Sequence, residues 1–554
     1  MRRGGVRWLA IIAALLVAAC SGARSTGGND APPTAAEASR FLTQATYGPT
    51  EATISQVRAS GYAQWIDQQI VMPAPRGHLA EVSDISTDVG GLAPPDFYAS
   101  YWRQAISSPD QLRQRMKLAL SEIFVISLAD SNIDVRGAAS YYDMLGQNAF
   151  GNFRTLLEQV SLHPMMGIYL TWLGNQKEDP ATGRNPDENF AREVMQLMTI
   201  GLYQLNQDGT VQVDISGRPL PTYTANDISG LAKVFTGYSY FAPAPSTATF
   251  RGASRFTNDA TIRSMIPYAA FHSTSAKSFL GVTIPASNTA DPQGDLKIAL
   301  DTLFNHPNVG PFIGKQLIQR LVTSNPSPEY VARVAAVFNN NGKGVRGDMA
   351  AVVRAILLDP EARNATTAAS PNYGKVREPM IRLANWARAF NATSASGGWL
   401  IPSTSANTSL GQSPLTSPSV FNFYRPGYSP PNTRIGNAGL VAPEFQIVDE
   451  VTVAGYLNTM QSTIDAGIGS SRDVRSSYTA EVALANDVNA LVDRVDLLLT
   501  YGRMSSATRS RIVAAVGAIT VPTAAGTAQN TALLNRVKLA IFMTMASSDY
   551  LVQR

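Results

Sequence analysis

The chain has 554 residues, of which 45% are hydrophobic, and a single cysteine, so its stability must come from one or two large apolar cores and not from internal disulfides. Its 45 basic and 41 acidic residues nearly balance and are scattered along the chain. Because clusters of basic residues are missing, the composition excludes nucleic acid as an expected partner.

The N-terminus has the parts of an export signal. Arg2, Arg3 and Arg7 precede an apolar run, Trp8–Ala19, that is too short to span a membrane. The run ends in Val-Ala-Ala-Cys20, which resembles the bacterial lipobox, where the cysteine receives lipid and becomes the first mature residue. The alternative is an ordinary signal peptide that ends beside a cysteine by chance. We expect a signal peptide over the first twenty residues and lipid attachment at Cys20.

The resemblance to lipoproteins also implies a location. Ser21 follows the cysteine, and in lipoproteins of Gram-negative bacteria a residue other than aspartate there implies delivery to the outer membrane. Residues 21–36 are small, polar and interrupted by Gly and Pro, which predicts a flexible tether before a folded body that starts near Glu37. We therefore expect an exported protein of the cell envelope, held at the membrane by its N-terminal lipid.

The first part of the folded body is predicted to be helical. Over residues 37–240 apolar residues recur at helical spacing, which predicts an N-terminal helical half. Residues 241–295 have weaker helix signals and predict a small β and loop insertion. Within it, strands Ile266–His272 and Lys277–Ile284 are predicted to form a hairpin around a Ser-Thr-Ser turn.

Helical periodicity returns over residues 296–390 and predicts a second helical layer, with Pro307 in the first turn of one helix. Residues 391–440 are rich in Ser, Pro, Asn and Gly and predict a long loop that contains the aromatic stretch Val420–Tyr428. Residues 441–554 predict closing helices. The expected fold is mainly α, a large multi-helix globular assembly with a small β-hairpin insertion and a long Ser, Pro and aromatic loop.

The segment Asn185–Gly201 carries the strongest candidate for chemistry. Its second residue, a proline, suits a first helical position, and its apolar residues form one stripe. Glu188 and Glu193 could form a carboxylate pair, one a proton donor and one a base, with Arg192 lowering the pKa of its neighbour. The structural alternative is that Asn185 and Glu188 form a capping box and that Glu188 and Arg192 form an ordinary helix ion pair.

Histidine gives a second candidate for the catalytic set. His272 lies at the tip of the predicted hairpin, close to Lys277, where a titrating side chain can face a cleft. We therefore predict a catalytic role for His272 and a substrate-binding role for Lys277. His163 and His306 both precede a proline at a helix start, and we expect each imidazole to satisfy free backbone groups.

A surface that binds glycans would combine aromatic faces with planar amides. Trp172 and Asn175 lie shortly before the central segment and Asn189 lies within it, so we predict these three residues to bind substrate. The alternative is that Trp172 fills the core, because aromatic side chains dominate cores.

The sequence lacks the motifs of metal, nucleotide and serine-nucleophile sites. Four histidines far apart in the sequence, without HExxH or CxxC, predict no metal site. The sequence also has no P-loop, dinucleotide fingerprint or GxSxG elbow, so no cofactor is expected. Asp227 follows Thr224 by three residues and is expected to close a helix cap.

Several stretches together resemble the bacterial family called domain of unknown function 1800. They cover almost the whole mature chain, so the resemblance implies one continuous domain over residues 37–554. The stretches are Arg40–Pro49 (RFLTQATYGP), Asn185–Glu193 (NPDENFARE), Asp227–Tyr238 (DISGLAKVFTGY), His272 with Lys277–Gly281 (KSFLG), His306-Pro307, Ser417–Phe423 (SPSVFNF) and Ser547–Tyr550 (SSDY).

The chain departs from the family pattern at two positions. Asp187 stands where members often have asparagine, and Met198 where many have histidine, so a metal role for that histidine cannot operate here. Members resemble exported proteins that are often encoded beside a phosphatase or sulfatase-like family, which implies envelope or polysaccharide biology. Two hypotheses follow: a hydrolase that acts on surface or extracellular polysaccharide, and a non-catalytic binding or assembly module for an envelope polymer or partner protein.

Overall fold

A computed structural model of the chain describes residues 32–257 and 259–554. This part of the chain contains 25 α-helices and eight short strands, which confirms the predicted mainly helical fold. Within it, no helix is both long and apolar enough to cross a membrane. Cys20, the predicted signal peptide and most of the predicted tether lie outside the described residues.

The helices are α1 Ala35–Ala45, α2 Glu51–Val71, α3 His78–Ser83, α4 Pro94–Ser107, α5 Gln111–Ser121, α6 Val135–Gln147, α7 Phe153–Leu162, α8 Pro164–Tyr169, α9 Asn189–Gln196, α10 Ala225–Val234, α11 Thr247–Phe250, α12 Pro292–Asn305, α13 Val309–Leu321, α14 Pro328–Asn339, α15 Met349–Leu358, α16 Pro360–Arg363, α17 Ala365–Ala369, α18 Pro379–Ala389, α19 Arg434–Asn437, α20 Glu450–Ala466, α21 Thr479–Leu484, α22 Val488–Leu499, α23 Ser506–Gly517, α24 Thr527–Ala546 and α25 Ser548–Leu551. The strands are β1 Tyr238–Ser239, β2 Ile266–Pro267, β3 Lys277–Phe279, β4 Val282–Ile284, β5 Lys375–Val376, β6 Thr393–Ser394, β7 Val474–Arg475 and β8 Val552–Gln553.

The first helix begins two residues before the expected start of the folded body, because Thr34 caps it. The Thr34 hydroxyl accepts a hydrogen bond from the Glu37 amide at 3.2 Å, and the Glu37 carboxylate accepts one from the Thr34 amide at 2.8 Å. Together these bonds satisfy two backbone amides at the helix start.

Buried apolar side chains from Ala38 to Tyr550 form one connected cluster. Its largest members are indoles, and Trp386 donates a hydrogen bond to the Tyr478 hydroxyl at 3.0 Å. Strand β5 pairs with β8, which ties the end of the chain to the segment before α18. A core that joins both ends of the folded body supplies the stability that a chain without disulfides needs.

The strands pair differently from the prediction. β3 and β4 form a hairpin around Leu280–Gly281, and both of these residues have positive φ, as a tight two-residue turn requires. Ile266 instead lies opposite Ser239 in the ladder of β1 and β2. The predicted hairpin of Ile266–His272 with Lys277–Ile284 is therefore wrong, since the whole hairpin lies within the second of these ranges.

Helix boundaries also differ from the prediction in the second half of the chain. Helix α13 begins at Val309, so Pro307 precedes the helix and is not in its first turn. The His306 imidazole accepts a hydrogen bond from the Asn308 amide at 3.1 Å, as expected for a structural histidine. Among the closing helices, α21 and α22 are separate because Asp487 caps the second of them.

The long loop packs onto the helices. Phe423 and Tyr424 are only 8% and 3% exposed. The Leu128 amide donates to the Leu415 carbonyl at 2.7 Å, which fixes the loop beside the segment that follows α5. Phe423 and Tyr424 therefore belong to the interior, and Val420 and Phe421 line a cavity beside them.

Candidate functional site

The helix at the centre of the predicted site starts later than expected. Helix α9 begins at Asn189, so the proline and the capping box predicted at Asn185 lie outside it. The Asp187 amide donates to the Asn175 side-chain oxygen at 2.9 Å, and the Asn175 amide nitrogen donates to the Asp187 carbonyl at 3.3 Å. These two bonds hold residues 185–188 as a loop. The prediction of a helix from Asn185 is therefore wrong.

The two predicted catalytic carboxylates lie in different environments. Glu188 forms the expected ion pair with Arg192 at 3.2 Å, and both side chains are more than 40% exposed. Glu193 is 7% exposed, and its Oε2 has no hydrogen-bond partner. Burial raises the pKa of Glu193, and the Arg192 charge opposes part of that rise. Because a spacing of five residues rotates a helix by about 140°, the two side chains leave α9 in different directions.

Glu188 faces a surface cleft of about 640 Å³. Two cations, Arg184 and Lys233, and the carboxylates of Glu178 and Asp179 share this cleft. Glu193 is not among the residues that line it. The lining residues of this surface cleft are Glu178, Asp179, Pro180, Gly183, Arg184, Asn185, Pro186, Glu188, Ser229, Lys233 and Ser275.

His272 and Lys277 are buried beside the surface cleft and do not face it. The His272 ring places Nδ1 2.7 Å from the Thr236 carbonyl and Nε2 2.9 Å from Asp295 Oδ2. Lys277 Nζ lies 2.8 Å from the same Asp295 oxygen. Burial raises the pKa of Asp295, but the hydrogen bonds from His272 and Lys277 outweigh it and hold that pKa below its usual value. The predicted exposed position of His272 is wrong. Both ring nitrogens lie within hydrogen-bond distance of acceptors in the interior, so the side chain is buried.

The predicted glycan-binding residues mainly pack or position the chain. Trp172 is fully buried and stacks on Phe190, with ring centroids 5.0 Å apart. Asn175 is the clamp described above, and its Nδ2 also donates to the Phe235 carbonyl at 2.8 Å. Only Asn189 is exposed, and its side chain contacts the Thr171 hydroxyl at 3.3 Å. Trp172 therefore fills the core, as its alternative reading predicted, and the substrate-binding roles stay predictions.

A second cavity, of about 280 Å³, lies where α5, α9, α13 and the long loop meet. Its ionisable lining side chains are Glu122, Arg320 and Arg425. The remaining lining side chains are two amides, Gln196 and Gln316, and apolar side chains such as those of Phe312 and Phe421. The lining residues of this central cavity are Glu122, Ile123, Gln196, Leu197, Gly201, Leu202, Phe312, Gln316, Arg320, Val420, Phe421, Arg425, Pro426 and Gly427.

A buried ion network lies behind the central cavity. Lys375 Nζ is 3.0 Å from Glu444 Oε1, 3.9 Å from Glu378 Oε1 and 2.8 Å from the Arg320 carbonyl. Arg320 Nη2 donates to the Glu122 carbonyl at 2.8 Å, and its Nε is 3.4 Å from Glu122 Oε2. These five residues form the buried ion network, and each is no more than 3% exposed. They are not arranged as metal ligands, since the described part of the chain has no group of three or more His, Cys, Asp or Glu that could hold a metal ion.

Two carboxyl groups of the buried ion network, Glu122 and Glu378, have pKa values that are shifted in opposite directions. Burial and the neighbouring Glu378 carboxylate raise the pKa of Glu122 well above its ordinary value. Burial also acts on Glu378, but the hydrogen bond from Glu122 and the Lys375 charge lower the pKa of that carboxyl. Tyr424 donates to Glu122 Oε2 at 3.2 Å, and Gln412 donates to Glu378 Oε2 at 2.7 Å. Glu122 is therefore the protonated partner and Glu378 the ionised one.

Sequence reasoning missed Glu122, Arg320 and Glu378, although one signal was present. Glu122 lies within the mainly apolar run Leu118–Leu128 (LALSEIFVISL), and Arg320 lies between Ile318 and Leu321 near the end of α13. Charged residues inside apolar segments must be compensated, so such positions indicate a buried ionic site. Their partners lie hundreds of residues away in sequence, and no local pattern names them.

One known protein family matches almost the whole chain. A family model described as "Protein of unknown function (DUF1800)" matches residues 40–552. Neither the curated proteins nor the solved structures contain a match to the chain. The match includes both the surface cleft and the central cavity. The chain therefore belongs to the DUF1800 family.

Proposed function

We propose that the protein is a hydrolase of the cell envelope that cleaves a polysaccharide by acid–base chemistry in the central cavity, with Glu122 as the proton donor. One observation carries this proposal: Glu122, which lines the cavity, has a raised pKa and lies beside Glu378, a carboxyl behind the cavity whose pKa is lowered. Two carboxyls whose environments push their pKa values apart have the division of roles that hydrolysis of a glycosidic bond needs.

In the proposed reaction Glu122 gives its proton to the leaving oxygen as the bond to the sugar carbon breaks. Water adds to that carbon, and its surplus proton returns to the pair of Glu122 and Glu378. Arg320 and Tyr424 hold the Glu122 carboxyl in place through the contacts described above. A cavity of about 280 Å³ is small for a ligand pocket, so we expect it to admit one sugar unit at a chain end or side branch.

The envelope location is part of the same proposal. The arginines before the apolar run and the position of Cys20 support export and lipid attachment, with the outer membrane as destination. We expect metabolic labelling with a fatty acid to mark the full-length protein and not a Cys20→Ser variant. Equal labelling of both proteins would contradict lipid attachment at this cysteine.

A second candidate function, a non-catalytic binding or assembly module for an envelope polymer or partner protein, is supported by one surface. Residues 202–221 form an irregular arm closed by bridges such as that between Leu205 and Val211. Val213 and Ile215 on this arm are 52% and 107% exposed. Apolar side chains grouped on a surface often mark a contact with a partner.

One experiment separates the two candidates. The full-length protein and its Glu122→Gln and Glu188→Gln variants would be incubated with a panel of bacterial polysaccharides, and new reducing ends measured. We expect Glu122→Gln to reduce cleavage by roughly 100-fold or more, because a general acid is lost. Glu188→Gln should stay within about twofold, since it breaks only an exposed ion pair.

The thermal unfolding curve of each variant would show whether it is folded. Equal activity of the native protein and a folded Glu122→Gln variant would contradict the assignment of the proton donor. Cleavage of no polysaccharide, together with polymer binding that Ile215→Ser weakens, would favour the binding module.

A further inference from the structure

The central cavity has a net positive lining. Arg320 and Arg425 carry its two guanidinium groups, and Glu122 is the protonated member of the carboxyl pair. The Arg425 guanidinium stacks over the Phe421 ring at 4.5 Å, so this cation is held at the edge of the cavity. An apolar wall beside two cations strengthens their attraction for an anion, because it keeps water away.

One donor that lines the cavity has no acceptor in the protein. Gln316 Nε2 is buried and makes no hydrogen bond, although its side chain is more than nine-tenths buried, whereas the neighbouring Arg320 Nε faces Glu122 Oε2 at 3.4 Å. Arg320 Nη1 lies 3.4 Å from Gln316 Oε1, which orients the Gln316 amide with its oxygen toward the arginine. Buried donors are usually satisfied, so an acceptor-rich group is the ligand that fits them.

The remaining unpartnered atom in this lining is an oxygen, Glu122 Oε1. The raised pKa of Glu122 favours the protonated form of this carboxyl, in which the oxygen can donate a hydrogen bond. The cavity therefore offers donors and positive charge to a ligand and has no ionised carboxylate among its lining residues.

We propose that the central cavity binds a sugar unit that carries a carboxylate, with Gln316 as its inner donor, the Arg320 charge beside it and Arg425 as the cation at the rim. This inference rests on the proposed function and names its substrate class, an acidic polysaccharide. The carboxylate serves to bind the sugar unit. It is not part of the glycosidic bond whose oxygen Glu122 protonates.

Binding can be measured without catalysis. The probes are short oligomers of glucuronate, galacturonate and mannuronate, each paired with its carboxyl-reduced neutral counterpart, and the readout is titration calorimetry on the full-length Glu122→Gln variant. We expect at least one acidic oligomer to bind roughly tenfold or more tightly than its neutral counterpart, with an affinity that falls as salt increases.

Arg425→Gln tests the rim cation, because this exposed side chain can be replaced without opening the core. It should weaken binding of the acidic oligomer roughly tenfold and leave the neutral one unchanged. Arg76→Gln is the matched control, since Arg76 is an exposed arginine that does not line the cavity. Equal binding of acidic and neutral oligomers, no binding of either, or equal loss in both variants would overturn the inference.

The two proposals fail in different ways. If neutral polysaccharide is cleaved in a Glu122-dependent manner without a preference for acidic oligomers, the acidic substrate class is wrong and the hydrolase stands. If acidic oligomers bind through Arg425 and none is cleaved by the native protein, the hydrolase is wrong and the acidic binding site stands.

Discussion

The surface cleft and the central cavity place charged residues under opposite conditions. At the surface cleft Glu188 forms an exposed pair with Arg192, and an exposed ion pair contributes little because solvent screens it. In the central cavity Glu122 and Arg320 are almost completely buried, so little solvent screens the interaction between them. The larger cleft is therefore the weaker candidate for chemistry. The smaller cavity contains Glu122, whose pKa is strongly raised.

The largest expected effect that separates the two regions is the pH dependence of cleavage. Glu122 must be protonated to act, so activity should persist at low pH and be lost as pH rises through the raised pKa of this carboxyl. The same sign applies to stability: the folded-state pKa exceeds the unfolded value of about 4.3, so this stabilisation is present below that value and lost as pH rises through the folded pKa. Activity that instead increases through the alkaline range would contradict the role of Glu122.

The next effect concerns the buried ion network. Lys375→Met should lower the free energy of unfolding by about 3–5 kcal/mol, because it leaves buried carboxylates without their cation. Urea denaturation measures this change, and Lys297→Met is the matched control, since Lys297 is 74% exposed in its pair with Asp301. If Lys375→Met lowered the free energy of unfolding as little as the control does, the stability of the network would not depend on its lysine.

The sequence predicts local features and fails for those that depend on distant partners. His163 caps α8 as expected, and its Nδ1 accepts a hydrogen bond from the Met165 amide at 3.3 Å. His272 looked exposed because its sequence neighbours are polar, but Asp295 and Thr236 bind it from other elements. For the same reason the sequence did not predict the central cavity, whose walls come from four separate parts of the chain.

A smaller effect tests a cap at the border of the surface cleft. Asp227 Oδ2 accepts a hydrogen bond from the Thr224 amide at 2.7 Å, and the Thr224 hydroxyl accepts one from the Asp227 amide at 3.4 Å, which confirms the predicted capping box. Thr224→Ala should therefore cost about 1 kcal/mol of stability. Chemical denaturation would measure it, and Thr222→Ala is unsuitable as a control because that hydroxyl bonds the Gly201 carbonyl. Thr302→Ala is the better comparison, because the Thr302 hydroxyl donates only to the Ile298 carbonyl one turn earlier in the same helix and links no separate segments.

The smallest effect is expected at the predicted catalytic pair itself. Glu188→Gln should change the free energy of unfolding by no more than about 0.5 kcal/mol, because the pair with Arg192 is exposed. High salt should remove even this difference in denaturation experiments. A loss of several kcal/mol would show that the surface cleft is held together by this carboxylate, and would reverse the comparison with the central cavity.

The protonation state of Glu122 tests the central claim most directly. Infrared difference spectroscopy between the native protein and Glu122→Gln, at neutral pH, reports the carbonyl stretch of a protonated carboxyl separately from that of a carboxylate. The account predicts a protonated-carboxyl band that disappears in Glu122→Gln and persists in Glu188→Gln. A carboxylate band lost in Glu122→Gln would contradict it, because Glu122 would then be ionised and could not serve as the acid.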